Sequence, residues 1–186
     1  MPSIYSLQYM SKTSIIEKCK EAKLDYHKKI RTQLMQIEAY LAELAEKEST
    51  NRDAWAILLK KFQSIGDALS MHMGKEEALV IHYIEQLDLA RREGTEIPTT
   101  KFPNLNVPLE FIKIEHEEIL NKLIDFQSAT LNLRRSGSES ANKALSNKVL
   151  LAIQQFQTHI SLAMDFETQE LFKEAINLEN DLNDTH

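Results

Sequence analysis

The stretch REGTEIPTTKFPNLNVP, residues 92–108, holds three of the chain's four prolines and one of its four glycines. Proline fixes φ and removes a backbone donor, so no helix runs through this segment. On its N-terminal side there is no proline between Ser3 and Ile97, and the glycines there are Gly66, Gly74 and Gly94. Working outward, weaker breaks stand at KESTNRD (47–53) and RSGSES (135–140), where small polar residues suit turns and N-caps. Four helical segments remain, at about 13–47, 52–91, 108–134 and 140–179. Ser14 with Glu17 forms a capping-box pattern at the first start, and Pro108 suits the first turn of the third segment. Segments of about 27 to 40 residues would be roughly 40–60 Å long at helical rise. Their short joints predict an all-α, up-down-up-down antiparallel four-helix bundle over 13–180. Residues 1–12 are expected to be an arm and 181–186 a disordered tail. The 91–108 connection is long for a bundle, which makes it a candidate lid or interface.

Composition narrows the function classes. The chain has 186 residues, 42% of them hydrophobic, which suffices for one sizeable core. Lys and Arg number 22 against 28 Asp and Glu, a net charge of −6 with no basic run, so a nucleic-acid partner is not expected. No apolar stretch approaches the ~18 residues of a membrane span, and MPSIYSLQYM does not read as a signal peptide, so a cytoplasmic protein is expected. Cys19 is the single cysteine, which excludes a disulfide framework, a zinc knuckle or a thiolate-held cluster within one chain.

The apolar stripes are more informative than the fold. At about 100° per residue, the first runs through Ile16, Leu24, Ile30, Leu34, Ile37 and Leu41, with His27 inside it. The second runs through Leu58, Phe62, Ile65, Leu69, Leu79, Tyr83 and Leu87, and encloses His72 and Glu76, four residues apart on one face. On the third, Ile112, Ile119, Leu120 and Leu123 surround His116. On the fourth, Val149, Ile153, Phe156, Ile160 and Leu171 define the stripe, with Glu167 near its centre.

A lone histidine on an apolar face is ordinarily a hydrogen-bonded core residue, and a lone glutamate ordinarily reaches solvent at the stripe's edge. Three histidines and two glutamates converging from four helices are a different matter. A carboxylate buried without compensation costs several kcal/mol or takes up a proton. A cation cluster would satisfy all five at once, and two carboxylates from different helices can bridge two ions. Imidazole and carboxylate without thiolate suit iron, manganese or zinc. The other histidines carry less. His82 reads as an interhelix hydrogen bonder near the stripe's edge, and His186 is terminal. Met71 and Met73 read as packing.

The segments DYHKKIRTQL (25–34), HMGKEEALVIHYIEQL (72–87), IEHEEILNKL (114–123) and FETQELFKEA (166–175), in that order, resemble the haemerythrin-like (HHE) domain. They are most similar to the iron–sulfur cluster repair di-iron proteins called RIC. The resemblance covers roughly residues 15 to 178. It implies a bundle holding two non-haem irons. Carried over by motif, the ligands would be His27, His72, Glu76, His116 and Glu167, with the two glutamates as bridges. Oxygen-carrying haemerythrins are less similar, because they use a second histidine on the third helix and the residue four after His116 is Leu120.

The fourth helix departs from the family's H-x-x-x-E. With Glu167 as the bridge, the histidine position is occupied by Ala163. The alternative takes His159, in THISLA (158–163), as the ligand, and its carboxylate position is then again Ala163. The stripe favours Glu167, since His159 lies roughly 95° from its centre. An iron with an open position beside Ala163 is therefore expected.

The resemblance implies repair of iron–sulfur centres, or iron donation, under oxidative or nitrosative stress. Dioxygen or nitric oxide would bind at the metal, and damaged iron–sulfur proteins would be clients. The alternatives are a dioxygen or nitric oxide sensing module, and a metal-poor bundle that uses its surface for a partner. A metal-binding protein is expected rather than a turnover enzyme. The oligomeric state is left open.

Overall fold

The structure is a computed structural model that describes residues 13–47, 51–135 and 143–185. The arm expected over residues 1–12, parts of the two weaker breaks (48–50 and 136–142) and His186 lie outside the described residues. Among the described residues there are four helical rods and no strand. They are α1 (15–47), α2 (52–93), α3 (Asn106–Arg135) and α4 (143–185). The Ser14 capping box is formed: Glu17 donates its backbone N–H to Ser14 Oγ at 3.2 Å, and Ser14 donates its own to Glu17 Oε2 at 2.8 Å. Gly94 ends α2 at φ 63°, a left-handed conformation that glycine adopts without a Cβ penalty.

Between α1 and α2, and between α2 and α3, contacts pair rising residue numbers on one rod with falling numbers on the other. Lys23 meets Glu85 and His27 meets Glu77 between α1 and α2. Phe62 meets Phe126, and Lys75 meets Glu115, between α2 and α3. Gln157 donates to the Leu123 carbonyl between α4 and α3, and Lys18 pairs with Glu174 between α1 and α4. Among the described residues, no helix is long and apolar enough to cross a membrane.

Three of the rods are interrupted by a π-helical turn: Ala22–His27 in α1, Glu76–Ile81 in α2 and Glu167–Leu171 in α4. Each such turn adds about one residue to the local repeat and slips the buried face. The slip corrects the continuous stripes expected from a constant period. Leu24, inside the first π turn, is 61% exposed, and Leu79, inside the second, is 50% exposed. The buried positions beside them are Ile15, Cys19 and Ala22 on α1 and Val80, Ile81 and Ile84 on α2. Met71 is exposed while Met73 is buried, and His82 lies on the surface. At the C-terminus, α4 continues to Thr185 through the stretch expected to be a tail, because Leu178 and Leu182 extend its buried face.

The core has two apolar blocks. One is built around Phe62, whose ring lies 5.3 Å from Phe126 and 5.6 Å from Phe156, and ends at Met73, Ile119 and Ala163. The other gathers Ile15, Val80, Ile84, Leu109, Ile112 and Leu171 near the 94–105 connection. That connection is tied down by Glu179, a buried carboxylate on α4. It accepts the Leu105 backbone N–H at 2.9 Å and the Tyr83 hydroxyl at 2.9 Å. Between the two apolar blocks lies a polar layer.

Candidate metal centre

The polar layer consists of the five side chains singled out in the sequence. His27, His72, Glu76, His116 and Glu167 are 1%, 4%, 0%, 5% and 2% exposed. Their positions on the helices are not equivalent. His27 closes the π turn of α1, and Glu76 and Glu167 open those of α2 and α4. His116 sits on uninterrupted α3.

The ligand-type atoms form two triads that share Glu76: His72, Glu76 and His116, and His27, Glu76 and Glu167. Glu76 Oε2 lies 3.3 Å from His27 Nε2 and 3.7 Å from His72 Nε2. Glu167 turns Oε1 to His27 Nε2 at 3.0 Å and Oε2 to His116 Nε2 at 3.5 Å. His72 and His116 bring their Nε2 atoms to 3.0 Å of each other. Adjacent donors on one ion, each about 2.1 Å from it, are themselves separated by about 3.0–3.5 Å. Four of the five spacings fall in that range, and the fifth, His72 to Glu76 at 3.7 Å, is slightly wider.

Glu76 supplies an independent test of fit. Both of its oxygens are buried and neither has a hydrogen-bond partner. Leaving a buried carboxylate in that condition costs on the order of 1–3 kcal/mol or more. An ion held by the surrounding Nε2 atoms would supply the missing partner. The donor set of imidazoles and carboxylates suits iron, manganese or zinc equally in kind.

Two further carboxylates orient the imidazoles. His27 donates from Nδ1 to Glu77 Oε1 at 2.7 Å, and His72 donates from Nδ1 to Glu115 Oε2 at 2.9 Å. An ionised carboxylate only accepts, so each Nδ1 carries the proton and each Nε2 faces inward. Arg31 braces Glu77 at 2.9 Å, and Lys75 braces Glu115. Burial opposes ionisation of Glu77, but its bonds to His27 and Arg31 prevail and hold its carboxyl below the usual range. Burial likewise opposes ionisation of Glu115, and Lys75 and His72 prevail there.

Inside the layer the protonation pattern is uneven. Burial works to lower His27, yet Glu167 and Glu76 together outweigh it and push the imidazole up to about 10. Burial, and then the charge of Glu76, push the Glu167 carboxyl up to about 8. Burial, and then His72, push His116 down to about 4.

All five sequence-derived residues are brought together. His159 is not: it lies outside the cluster, with Nδ1 2.9 Å from Gln33 Oε1. Ala163 is buried and lines a cavity of about 10 Å³ together with His27, His72 and Glu167. That volume is close to the room one water needs. Sequence reasoning missed the roles of Glu77 and Glu115. Their only signal was adjacency, Glu77 directly after Glu76 and Glu115 directly before His116.

Residues 22–175 match the family model of the haemerythrin HHE cation-binding domain. No curated protein and no solved structure matches the chain.

Proposed function

The chain belongs to the haemerythrin HHE cation-binding domain family, and on that premise we propose that it is a non-haem di-iron protein that repairs iron–sulfur centres or donates iron under oxidative or nitrosative stress. Glu76 carries this reading: a fully buried carboxylate whose oxygens make no hydrogen bond, with the Nε2 atoms of His27 and His72 3.3 and 3.7 Å from Oε2. His72 and His116, with Glu76 and Glu167, would hold one ion. His27, with the same two glutamates, would hold the other. The opposed residue pairings between neighbouring rods support an up-down-up-down antiparallel bundle around them.

Bound iron would supply redox and Lewis-acid chemistry at this layer. The protein's own groups do the rest. Glu167 spans the two triads through its separate oxygens. His27 must release its Nε2 proton as an ion enters, while Glu77 keeps the Nδ1 proton in place. The apolar blocks above and below exclude water from the carboxylates. Ala163 offers no donor, so the His27 side has fewer protein ligands and would release its ion more readily, as iron donation requires. Manganese or zinc would fit the same donors. Damaged iron–sulfur proteins would be the clients, in the cytoplasm.

The cavity beside Ala163 favours a second reading, in which dioxygen or nitric oxide binds at the open position and the protein senses or carries it. A metal-poor interaction bundle would leave the burial of Glu76 without a hydrogen bond unexplained. The deciding experiment is metal analysis of the purified protein with anomalous scattering at the iron edge. Absorption spectra with and without dioxygen and nitric oxide, and iron transfer to an apo iron–sulfur protein, then separate donation from sensing. Absence of bound metal after anaerobic Fe(II) loading would overturn both.

A further inference from the structure

Glu76 and Glu77 are consecutive residues at the start of one π turn, yet they serve different neighbours. Glu76 points into the polar layer. Glu77 leaves it and crosses to α1, where its Oε1 accepts from His27 Nδ1 at 2.7 Å and from Arg31 Nη2 at 2.9 Å. His27 and Arg31 are four residues apart on α1 and so present to the same side. One carboxylate oxygen thus takes a donor from the buried histidine and a donor from a guanidinium whose side chain is 40% exposed. Across the layer, Glu115 repeats the arrangement with His72 Nδ1 and Lys75.

We infer that Glu77, braced by Arg31, is a positioning residue that fixes the His27 ring with Nε2 toward Glu76 and Glu167, and so governs metal retention on the His27 side alone. This inference rests on the di-metal reading. The His72–His116 side has two imidazoles to hold its ion, and loss of one orienting bond there is shared. The His27 side has a single imidazole, since Ala163 supplies none. Retention on that side therefore depends on one ring, and that ring depends on Glu77. Removing a carboxylate that orients a histidine ligand typically costs 10–100-fold in metal affinity. The selective loss comes from ring orientation, because Glu77 has no atom in either triad.

The test is Fe(II), added anaerobically, to the wild type and to Glu77→Ala, Glu77→Gln and Glu115→Ala. Occupancy of each position is read by anomalous diffraction at the iron edge, and affinity by chelator competition. Unfolding of the metal-free forms is followed in parallel. The expected result is that Glu77→Ala empties the His27 side, with affinity there falling about 10–100-fold, and leaves the His72–His116 side filled. Glu77→Gln keeps an acceptor oxygen and restores occupancy. Glu115→Ala weakens the opposite side. Equal occupancy of both positions in Glu77→Ala, or equal loss at both with no rescue by Gln, overturns the inference and leaves Glu77 as a tie between α1 and α2. A wild type that takes up no iron overturns the proposed function instead, and this inference with it.

Discussion

His72 and His116 face each other across the α2–α3 interface with Nε2 atoms 3.0 Å apart and ring planes inclined at 71°. His72 donates from Nδ1 to Glu115, so the Nε2 of its neutral ring accepts from His116 Nε2. Two imidazoles aimed at one point, both nearly free of solvent, form the stronger half of the proposed centre. His116→Ala is expected to lose the ion on this side and to leave His27 with its two carboxylates intact. Fe(II) stoichiometry of the variant checks this, and two retained ions would count against the assignment.

Glu76→Ala should be more damaging than any histidine variant, because Glu76 belongs to both triads. At least one ion should be lost, and the remaining one should be removed by weaker chelators. Unchanged stoichiometry would show that Glu76 is not a bridge.

Metal affinity should rise with pH. The metal-free layer holds a proton on His27, pushed up to about 10, and one on Glu167, pushed up to about 8. Both raised values lie above neutral pH, so both protons must leave when ions enter. His116, pushed down to about 4, is already neutral and adds no proton to the count above that pH. From pH 5 to 7 the apparent affinity for the pair of ions should therefore climb by up to about two decades per pH unit, one for each proton released. The slope should shrink above pH 8, once Glu167 is ionised. Chelator competition at several pH values, combined with calorimetry in buffers of different ionisation enthalpy, measures it. A pH-independent affinity would mean that these groups are not displaced.

The helices and the five converging residues were legible because they depend on periodicity and on the rarity of Pro and Gly. The family-like ending FETQELF and the helix angle both favour Glu167 over His159, and Glu167 lies in the layer while His159 bonds to Gln33. What periodicity missed were the three π turns. A constant 100° step carried Leu24 and Leu79 inward, whereas the inserted residues turn them to solvent. No residue type marks a π turn, but each of the three has a ligand-type residue at one end: His27 in α1, Glu76 in α2 and Glu167 in α4. Glu77 and Glu115 were missed for a related reason. Each lies beside a candidate ligand in sequence, and a uniform helix puts such a neighbour about 100° away, off the shared face.

The tether of the 94–105 connection makes a stability prediction separate from metal. Glu179→Ala removes the acceptor of the buried Leu105 N–H and of the part-buried Tyr83 hydroxyl. Losing a charged acceptor and stranding its donors costs about 1.5–3 kcal/mol. For a chain of this size that corresponds to a Tm lower by about 3–12 °C. Metal stoichiometry should be unchanged, because Glu179 belongs to neither triad. A thermal melt and a metal assay of the same preparation check both halves.

Ala163 leads to the last prediction. It is buried, one helical turn before Glu167, and lines the small cavity shared with His27 and His72. A methyl group there leaves the His27 side with one imidazole and two shared carboxylates. Any further ligand on that side must be water or a small exogenous molecule, for which the cavity of about 10 Å³, apolar except for His27, His72 and Glu167, is at the lower limit of size. Ala163→His would add an imidazole on the same face, since residues four apart on a helix stack. The cavity is smaller than an imidazole, so Met73 and Met164, which also line it, must shift, as flexible thioethers can. The variant is expected to bind its second ion more tightly and to release it more slowly to a chelator. His159→Ala, by contrast, should leave both ions untouched, because His159 is engaged with Gln33 outside the layer. A metal titration of the three forms at one fixed pH decides the matter. Equal affinity and stoichiometry in wild type and Ala163→His, together with loss of metal in His159→Ala, would transfer the vacant position to the alternative register built on His159.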